Sequence, residues 1–129
     1  MSETLNSSGF FELGSDDPQR TEEFYGSLFG WNFGPGHGRP YTFITLPNGR
    51  MLGALWDTTE EPGTGLPPNY IVNVIEVADV EDTVRRATEA GGTVVISPTR
   101  VEQGTHFAYL RDPAGLLFAV ATPVAEQQG

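Results

Sequence analysis

The feature of this sequence that most constrains its fold is an internal repeat with a spacing of 62 residues. In each copy an apolar, strand-like segment leads to an Asp that can cap a helix, and a glycine ends the amphipathic stretch that follows. Three pairs of residues keep the spacing of 62: Leu13 and Ile75, Asp17 and Asp79, and Gly30 and Gly92. The sequence therefore predicts two modules of βαβ type built on one plan.

The first copy, Phe10–Phe33, shows the signals most clearly. Its opening residues are aromatic or apolar, as in a strand. Asp17 can accept hydrogen bonds from free N–H groups at a helix start, and Pro18 suits the first helical position. Phe24 and Leu28 lie four residues apart, which predicts an apolar helical face.

The rest of the chain repeats this pattern and adds hairpins. Turns are predicted at residues 47–49 and 112–115, where Pro, Asn, Asp and Gly concentrate. Residues 97–104 are predicted to form a loop. The other predicted elements are strands at about Tyr41–Leu46, Met51–Trp56, Tyr70–Val77, Thr93–Ile96, Thr105–Arg111 and Leu116–Thr122, and a helix at about Val80–Ala90 with Val80, Val84 and Ala87 inward.

These elements predict an α+β fold of paired βαβββ modules, with two helices covering cupped, mixed β-sheets. With 129 residues the chain is expected to form a single domain. Within it we expect a first module at residues 9–56, a second at residues 70–123, and a linker rich in Pro, Gly and acidic residues at 57–69.

Composition limits the classes of function. The formal charge of −10, from 17 acidic and 7 basic residues, argues against binding to nucleic acid. The same charge favours cationic ligands, or serves only to keep the protein in solution. Cysteine is absent, which leaves no disulfide framework and no thiolate site. No apolar run approaches the ~20 residues that span a bilayer, and the first residues do not resemble a signal peptide, so a cytoplasmic protein is expected.

Two segments carry a family resemblance: FYGSLFGW at the end of the first helix, and RDPAGLLFAV at the end of the second module. Together with the paired modules they resemble the vicinal oxygen chelate superfamily of glyoxalases, bleomycin resistance proteins and extradiol dioxygenases. The resemblance covers about residues 9–123. The end of the first helix is most similar to the branch of bleomycin-resistance-like proteins.

In metal-using members of that superfamily, the resemblance implies ligands on the first and last strands of each module. The first-strand positions lie seven residues before the capping Asp and correspond to Phe10 and Val72. The last-strand positions lie four residues after a turn glycine and correspond to Gly53 and Ala119. None of these side chains offers the N, O or S donors that a divalent cation needs. We therefore expect neither a metal nor another cofactor.

Glu12 is the most informative acid, because strand alternation places it on the face of Phe10. On an apolar cavity wall its carboxylate could pair with a cation or act as a general base; alternatively it is a structural carboxylate bonded to a neighbour. His106 is a candidate donor to a ligand or a plain structural residue. His37 and Glu76 are weaker candidates, and both fit solvent-exposed positions as well.

The sequence thus predicts a metal-independent protein that binds a small aromatic or hydrophobic molecule. The resemblance implies sequestration of a cationic or aromatic antibiotic-like compound, by a homodimer. One alternative is a lyase, isomerase or hydrolase-like enzyme of the glyoxalase or dioxygenase kind that acts on a small metabolite, with Glu12 or His106 as acid or base or with a metal bound at other positions. Another is an interaction module whose cavity is filled by aromatic rings. The predicted ligand-binding residues are Phe10, Glu12, Trp31, Tyr41, Phe43, Trp56, Val72, Val74, His106 and Tyr109.

Overall fold

The computed structural model describes residues 5–34, 41–60, 63–100 and 106–122. Within these ranges the predicted α+β class is confirmed, and the elements follow the order βαβββ twice. No helix in these ranges is long and apolar enough to cross a membrane. The helices are α1 (Pro18–Phe29) and α2 (Val80–Glu89), and the strands are β1 (Ser7–Ser15), β2 (Asn32–Phe33), β3 (Tyr41–Thr45), β4 (Met51–Asp57), β5 (Tyr70–Glu76), β6 (Thr93–Arg100), β7 (His106–Arg111) and β8 (Leu117–Ala121).

Contacts divide the chain into two units. Residues 10–71 form one, which we name the N-terminal unit, and the remaining described residues form the C-terminal unit. The strands of the N-terminal unit follow the order β2-β3-β4-β1, and those of the C-terminal unit follow the order β5-β8-β7-β6. In each unit the first and last strands pair in parallel, β1 with β4 and β5 with β8, while the other pairs are antiparallel.

In the N-terminal unit the predicted signals for α1 are confirmed. The Asp17 side chain accepts a hydrogen bond of 3.3 Å from the Arg20 N–H. Gly30 ends the helix with φ of 76°, a left-handed conformation that costs glycine little. The apolar face of α1 is not buried, however, because Phe24 and Leu28 expose 60% and 58% of their surfaces.

In the C-terminal unit α2 packs on a closed core. The Asp79 side chain caps the helix by accepting a 3.0 Å hydrogen bond from the Asp82 N–H. Val80 is fully buried, and Val84 and Ala87 pack against the same cluster, as predicted. The buried members of this cluster are Val77, Val80, Ala108, Leu110 and Val120.

One prediction for the C-terminal unit is wrong. Residues 97–100 were expected in a loop, but β6 continues through them, and Thr99 lies opposite Phe107 in the β6–β7 register. Pro98 is tolerated because β6 ends the strand order of this unit and its register shifts twice along the pair; proline occurs in strands at edges and bulges. Residues 101–105 lie outside the described ranges.

Candidate functional site

The candidate site is built around the buried carboxylate of Glu12, of which 3% is exposed. The Tyr70 hydroxyl donates a hydrogen bond of 2.6 Å to Glu12 Oε2, and the Tyr41 hydroxyl donates one of 3.3 Å to Oε1. An ionised carboxylate only accepts hydrogen bonds, and a donor at each oxygen therefore fits the charged form. The N-terminal unit thus holds a buried carboxyl group between two tyrosine hydroxyls.

Three predicted aromatic residues lie on the same face as this carboxylate. Ala54 of β4 lies opposite both Glu12 of β1 and Phe43 of β3, and opposite residues of paired strands share a face. Tyr41 and Trp56 are the next pair on that face. The Tyr41 ring lies 5.9 Å from the Phe43 ring and 6.0 Å from the Trp56 ring. We name this half-buried set the aromatic wall: Tyr41, Phe43, Trp56 and Tyr70.

Trp31 does not belong to this wall, although it was predicted to bind ligand. Its ring stacks on Tyr25 of α1 at 5.3 Å and lies 5.8 Å from the ring of Phe11. Phe11 and Glu12 are neighbours on β1, so they point to opposite faces of the strand. Trp31 therefore helps to attach α1 to its sheet, on the side away from Glu12.

Tyr70 and Gly14 are site residues that the sequence reasoning missed. A Cβ on Gly14 would collide with the Tyr70 ring, so the glycine provides the space from which the hydroxyl reaches Glu12. Tyr70 shares its parity along the strand with Val72 and Val74, which were predicted to face the cavity. That parity could have identified Tyr70 from the sequence.

The C-terminal unit carries four more of the predicted residues, Val72, Val74, His106 and Tyr109, while Phe10 lies on β1 of the N-terminal unit. Val74 and Tyr109 both lie opposite Ala119 and share a face. Val72 and Val74 expose only 2% and 4% of their surfaces and present almost no area to a ligand. Glu76, two residues further along β5, is half-buried on that same face.

His106 and Tyr109 are three residues apart on β7 and therefore point to opposite faces. His106 has the parity of Ala108 and Leu110, which belong to the core cluster. Its Nδ1 lies 3.4 Å from the Arg100 guanidinium, and its side chain is buried. The structure thus brings His106 to the core side of β7 and not beside Tyr109. The other histidine, His37, lies outside the described residues.

The register corrects one of the positions compared with metal ligands. Gly53 lies opposite Phe11 and has the parity of the α1 side, whereas Ala54 lies opposite Glu12 as Ala119 lies opposite Val74. A bulge in the β3–β4 pair, between Ile44 and Thr45, shifts the phase of β4 by one residue. Counting from the turn glycine could not detect this shift.

The residues at these positions do not fit a metal ion. With the corrected register they are Phe10, Ala54, Val72 and Ala119, and each is a hydrocarbon side chain. The carboxylate of Glu12 is one oxygen donor group, and hydroxyls already bind both its oxygens, whereas a protein site for a divalent cation needs about three or more donor groups. In the described parts of the chain, no three His, Cys, Asp or Glu side chains are grouped to hold a metal.

The environment of Tyr41 perturbs its ionisation. Burial raises the pKa of the Tyr41 hydroxyl well above its usual value of 10.0, and the adjacent Glu12 carboxylate raises it further, both by its charge and by accepting the hydrogen bond. These causes all oppose a second negative charge next to the first. Tyr41 therefore stays a hydrogen-bond donor in alkaline solution.

This shift predicts a loss of stability at high pH that depends on Tyr41. Because its pKa is raised in the folded state, the unfolded chain releases the proton first, and the free energy of unfolding falls as the pH rises above about 10. The Tyr41→Phe variant should show a shallower decline between about pH 9 and pH 12, measured by urea denaturation. It should also lose one phenol that ionises above the usual pH range in an ultraviolet absorbance titration. An unchanged alkaline decline would contradict the assignment.

Comparisons with known proteins agree with this architecture. The family model described as Glyoxalase/Bleomycin resistance protein/Dioxygenase superfamily matches residues 8–120. The chain is 31% identical over 126 residues to the anthracycline biosynthesis protein DnrV of Streptomyces peucetius, covering 86% of this chain and 45% of that protein. It is 29% identical over 119 residues to the putative glyoxylase CFP32 of Mycobacterium tuberculosis, covering 90% and 44%.

A solved structure shows the same fold. A glyoxalase/bleomycin resistance protein/dioxygenase superfamily member from Vibrio splendidus superposes with a TM-score of 0.58 at 18% identity, covering 88% of this chain and 95% of that one. The chain spans about half the length of the curated relatives it matches. The family match extends over almost all of the described residues, and the protein belongs to the Glyoxalase/Bleomycin resistance protein/Dioxygenase superfamily.

Proposed function

We propose that this protein binds a small planar cation on the aromatic wall of its N-terminal unit, without a metal. The observation that carries the proposal is the carboxyl group of Glu12, buried behind aromatic rings that are partly exposed. Sequestration in the manner of the bleomycin-resistance branch fits such a site. A homodimer in the cytoplasm, as predicted from the sequence, is part of this proposal.

The ligand class follows from electrostatics. Aromatic faces carry partial negative charge and attract cations within about 6 Å of the ring centre. A carboxylate away from water is screened less than one at the surface, so its field reaches the ligand side of the rings. A planar ligand gains stacking contact with Tyr41, Phe43 and Trp56, and its positive charge gains from Glu12 without direct contact. The net charge of −10 also favours cations over anions.

The hydrogen bonds favour binding over the enzymatic alternative. Both oxygens of Glu12 accept tyrosine hydroxyls, so a substrate proton would have to compete with them. His106, the other acid–base candidate, lies on the core side of β7 in the C-terminal unit. Among the described residues, those that correspond to metal ligands carry no donor atoms, which supports binding without a metal over metal-dependent lyase or dioxygenase chemistry. The names of the relatives, a biosynthesis protein and a putative glyoxylase, both concern small molecules.

Glu12→Gln tests the proposal, because it removes the charge and keeps the shape. The probes are 9-aminoacridine, a planar cation, and acridone, a neutral molecule of similar shape, measured by fluorescence titration. We expect the variant to bind 9-aminoacridine about tenfold more weakly, since two opposite unit charges about 10 Å apart near a protein surface attract by roughly 1.5 kcal/mol. Binding of acridone should change by less than about twofold.

Glu76→Gln is the matched control, since it removes the same charge from a half-buried carboxylate in the C-terminal unit. It should leave the binding of both probes unchanged. If Glu12→Gln weakened the binding of both probes equally, Glu12 would only hold the aromatic wall in place and would not attract the cation. No binding of either probe by the unmodified protein would favour the collapsed interaction module.

A further inference from the structure

We propose a second binding site in the N-terminal unit, a pocket that takes a hydroxylated ammonium group such as that of an amino sugar. The pocket has a volume of about 220 Å³ and lies where β1 and β4 end. The residues that carry the inference are Asp16, Trp56, Thr58, Thr59 and Thr64, all of which line it. The pocket shares Trp56 with the aromatic wall, but Asp16 and the three threonines lie outside that wall, so the inference does not require a planar cation there.

The pocket is formed by the parallel pairing of β1 and β4. Ser15 lies opposite Asp57 at the carboxyl ends of these strands, so the next residues, Asp16 and Thr58, emerge side by side. Two hydrogen bonds join these strand ends to residues just before β5. The Thr58 hydroxyl donates a 2.8 Å hydrogen bond to the Pro68 carbonyl oxygen. The Asp16 N–H donates one of 3.2 Å to Asn69 Oδ1.

The described side-chain oxygens of this pocket act mostly as acceptors. The Thr58 hydroxyl hydrogen is used by Pro68, and that of Thr59 is used by Asp57 Oδ1 at 2.6 Å. A hydroxyl that has donated its hydrogen still offers lone pairs, and the ionised Asp16 carboxylate offers only lone pairs. A ligand that fits must therefore supply the donors. Hydroxyl and ammonium groups do this, whereas phosphates and carboxylates do not.

The charge and shape of the pocket further restrict the class of ligand that fits it. Asp16 supplies a full negative charge, and the indole of Trp56 also lines the pocket; the face of an aromatic ring attracts cations. The same ring face packs well against the C–H groups of a sugar-like ring. Thr64 contributes a third hydroxyl, whose oxygen accepts from the Leu66 N–H and whose hydrogen can be given to a ligand oxygen. A hydroxylated ring that bears an ammonium group uses all of these features.

The test compares glucosamine with glucose, which differ by the ammonium group. Trp31→Phe leaves Trp56 as the only one of the two tryptophans, so its fluorescence reports on the pocket. We expect saturable binding of glucosamine, about tenfold or more tighter than that of glucose, because a charge-assisted hydrogen bond is about twice as strong as a neutral one. Calorimetric titration of the unmodified chain gives the same comparison without the Trp31 substitution.

Asp16→Asn should reduce the preference for glucosamine to within about twofold. Glu60→Gln is the matched control, because it removes the same charge from a neighbouring exposed residue that does not line the pocket. Equal binding of the two sugars, no saturable binding, or an equal effect of the two substitutions would overturn the inference. Glu12→Gln should leave glucosamine binding unchanged, so failure here and failure of the aromatic wall are distinguishable.

Discussion

Replacing Gly53 by alanine should lower the free energy of unfolding by about 3 kcal/mol, the upper end of the usual cost of overpacking. A Cβ at this position would collide with the backbone carbonyl oxygen of Phe11 and lie 3.0 Å from its Cδ1. The obstacle is backbone and cannot rotate away. Because Phe11 pairs with Gly53 in the parallel β1–β4 ladder, relief requires the two strands to separate locally.

Gly26→Ala is the matched control for this prediction. Gly26 lies inside α1, and a Cβ there would have the Trp31 carbonyl oxygen at 3.4 Å as its nearest neighbour, which is ordinary contact. Alanine should therefore leave the stability unchanged or raise it by up to about 1 kcal/mol through its helix propensity. Urea denaturation of both variants gives the comparison. Equal stability of the two variants would mean that β1 and β4 are not held at the spacing described.

Gly53→Ala should also affect ligand binding, because Gly53 pairs with the residue that precedes Glu12. Phe11 precedes Glu12, so a displaced β1 would move the carboxylate away from the hydroxyls of Tyr41 and Tyr70. The alanine variant should lose preference for 9-aminoacridine over acridone even at temperatures where it remains folded. The close approach of two strands at Gly53 thus supports the position of the buried charge.

Much of the fold could be predicted because its signals are local. Asp17 and Asp79 cap helices as their side chains and spacing indicate, and Gly30 ends α1 in the conformation that glycine favours. Strand alternation also placed Glu12 on the face of Phe10, because parity within one strand needs only the chain itself. The exposed face of α1 was not predictable, since a helical period shows that residues such as Phe24 share a face but not what covers them.

The predictions about the site that were wrong or incomplete concern residues whose positions depend on contacts between separate segments of the chain. Ala54, and not Gly53, lies on the Glu12 face because of the bulge in the β3–β4 pair. That bulge is a property of how two strands pair, and neither strand's sequence predicts it alone. Trp31 comes just before the two-residue strand β2, too short for alternation to show its face. The face on which Tyr70 lies could be predicted from strand alternation. Its contact with Glu12 could not, because it depends on the space that Gly14 leaves for the tyrosine ring.

A second large change in stability is expected when the buried carboxyl group of Glu12 is removed. Glu12→Met should lower the free energy of unfolding by about 3 kcal/mol, because it removes the acceptor that two partly buried hydroxyls share, at about 1–3 kcal/mol each. Replacing both tyrosines by phenylalanine in the same chain should recover at least half of that loss. A polar group removed together with its partners is often neutral to stability.

The triple variant Glu12→Met, Tyr41→Phe, Tyr70→Phe therefore separates folding from binding. Denaturation should show it more stable than Glu12→Met alone, while titration should show that it no longer prefers 9-aminoacridine over acridone. Tyr41→Phe with Tyr70→Phe and an intact Glu12 is the control, and it should be less stable than the triple variant because the carboxylate then loses both donors. If the triple variant were instead the least stable of the three, the carboxylate would be a structural element of the sheet. The expected order would mean that removing the carboxylate together with its tyrosine donors costs less stability than removing it alone, which supports a role of the carboxylate in ligand binding rather than in folding.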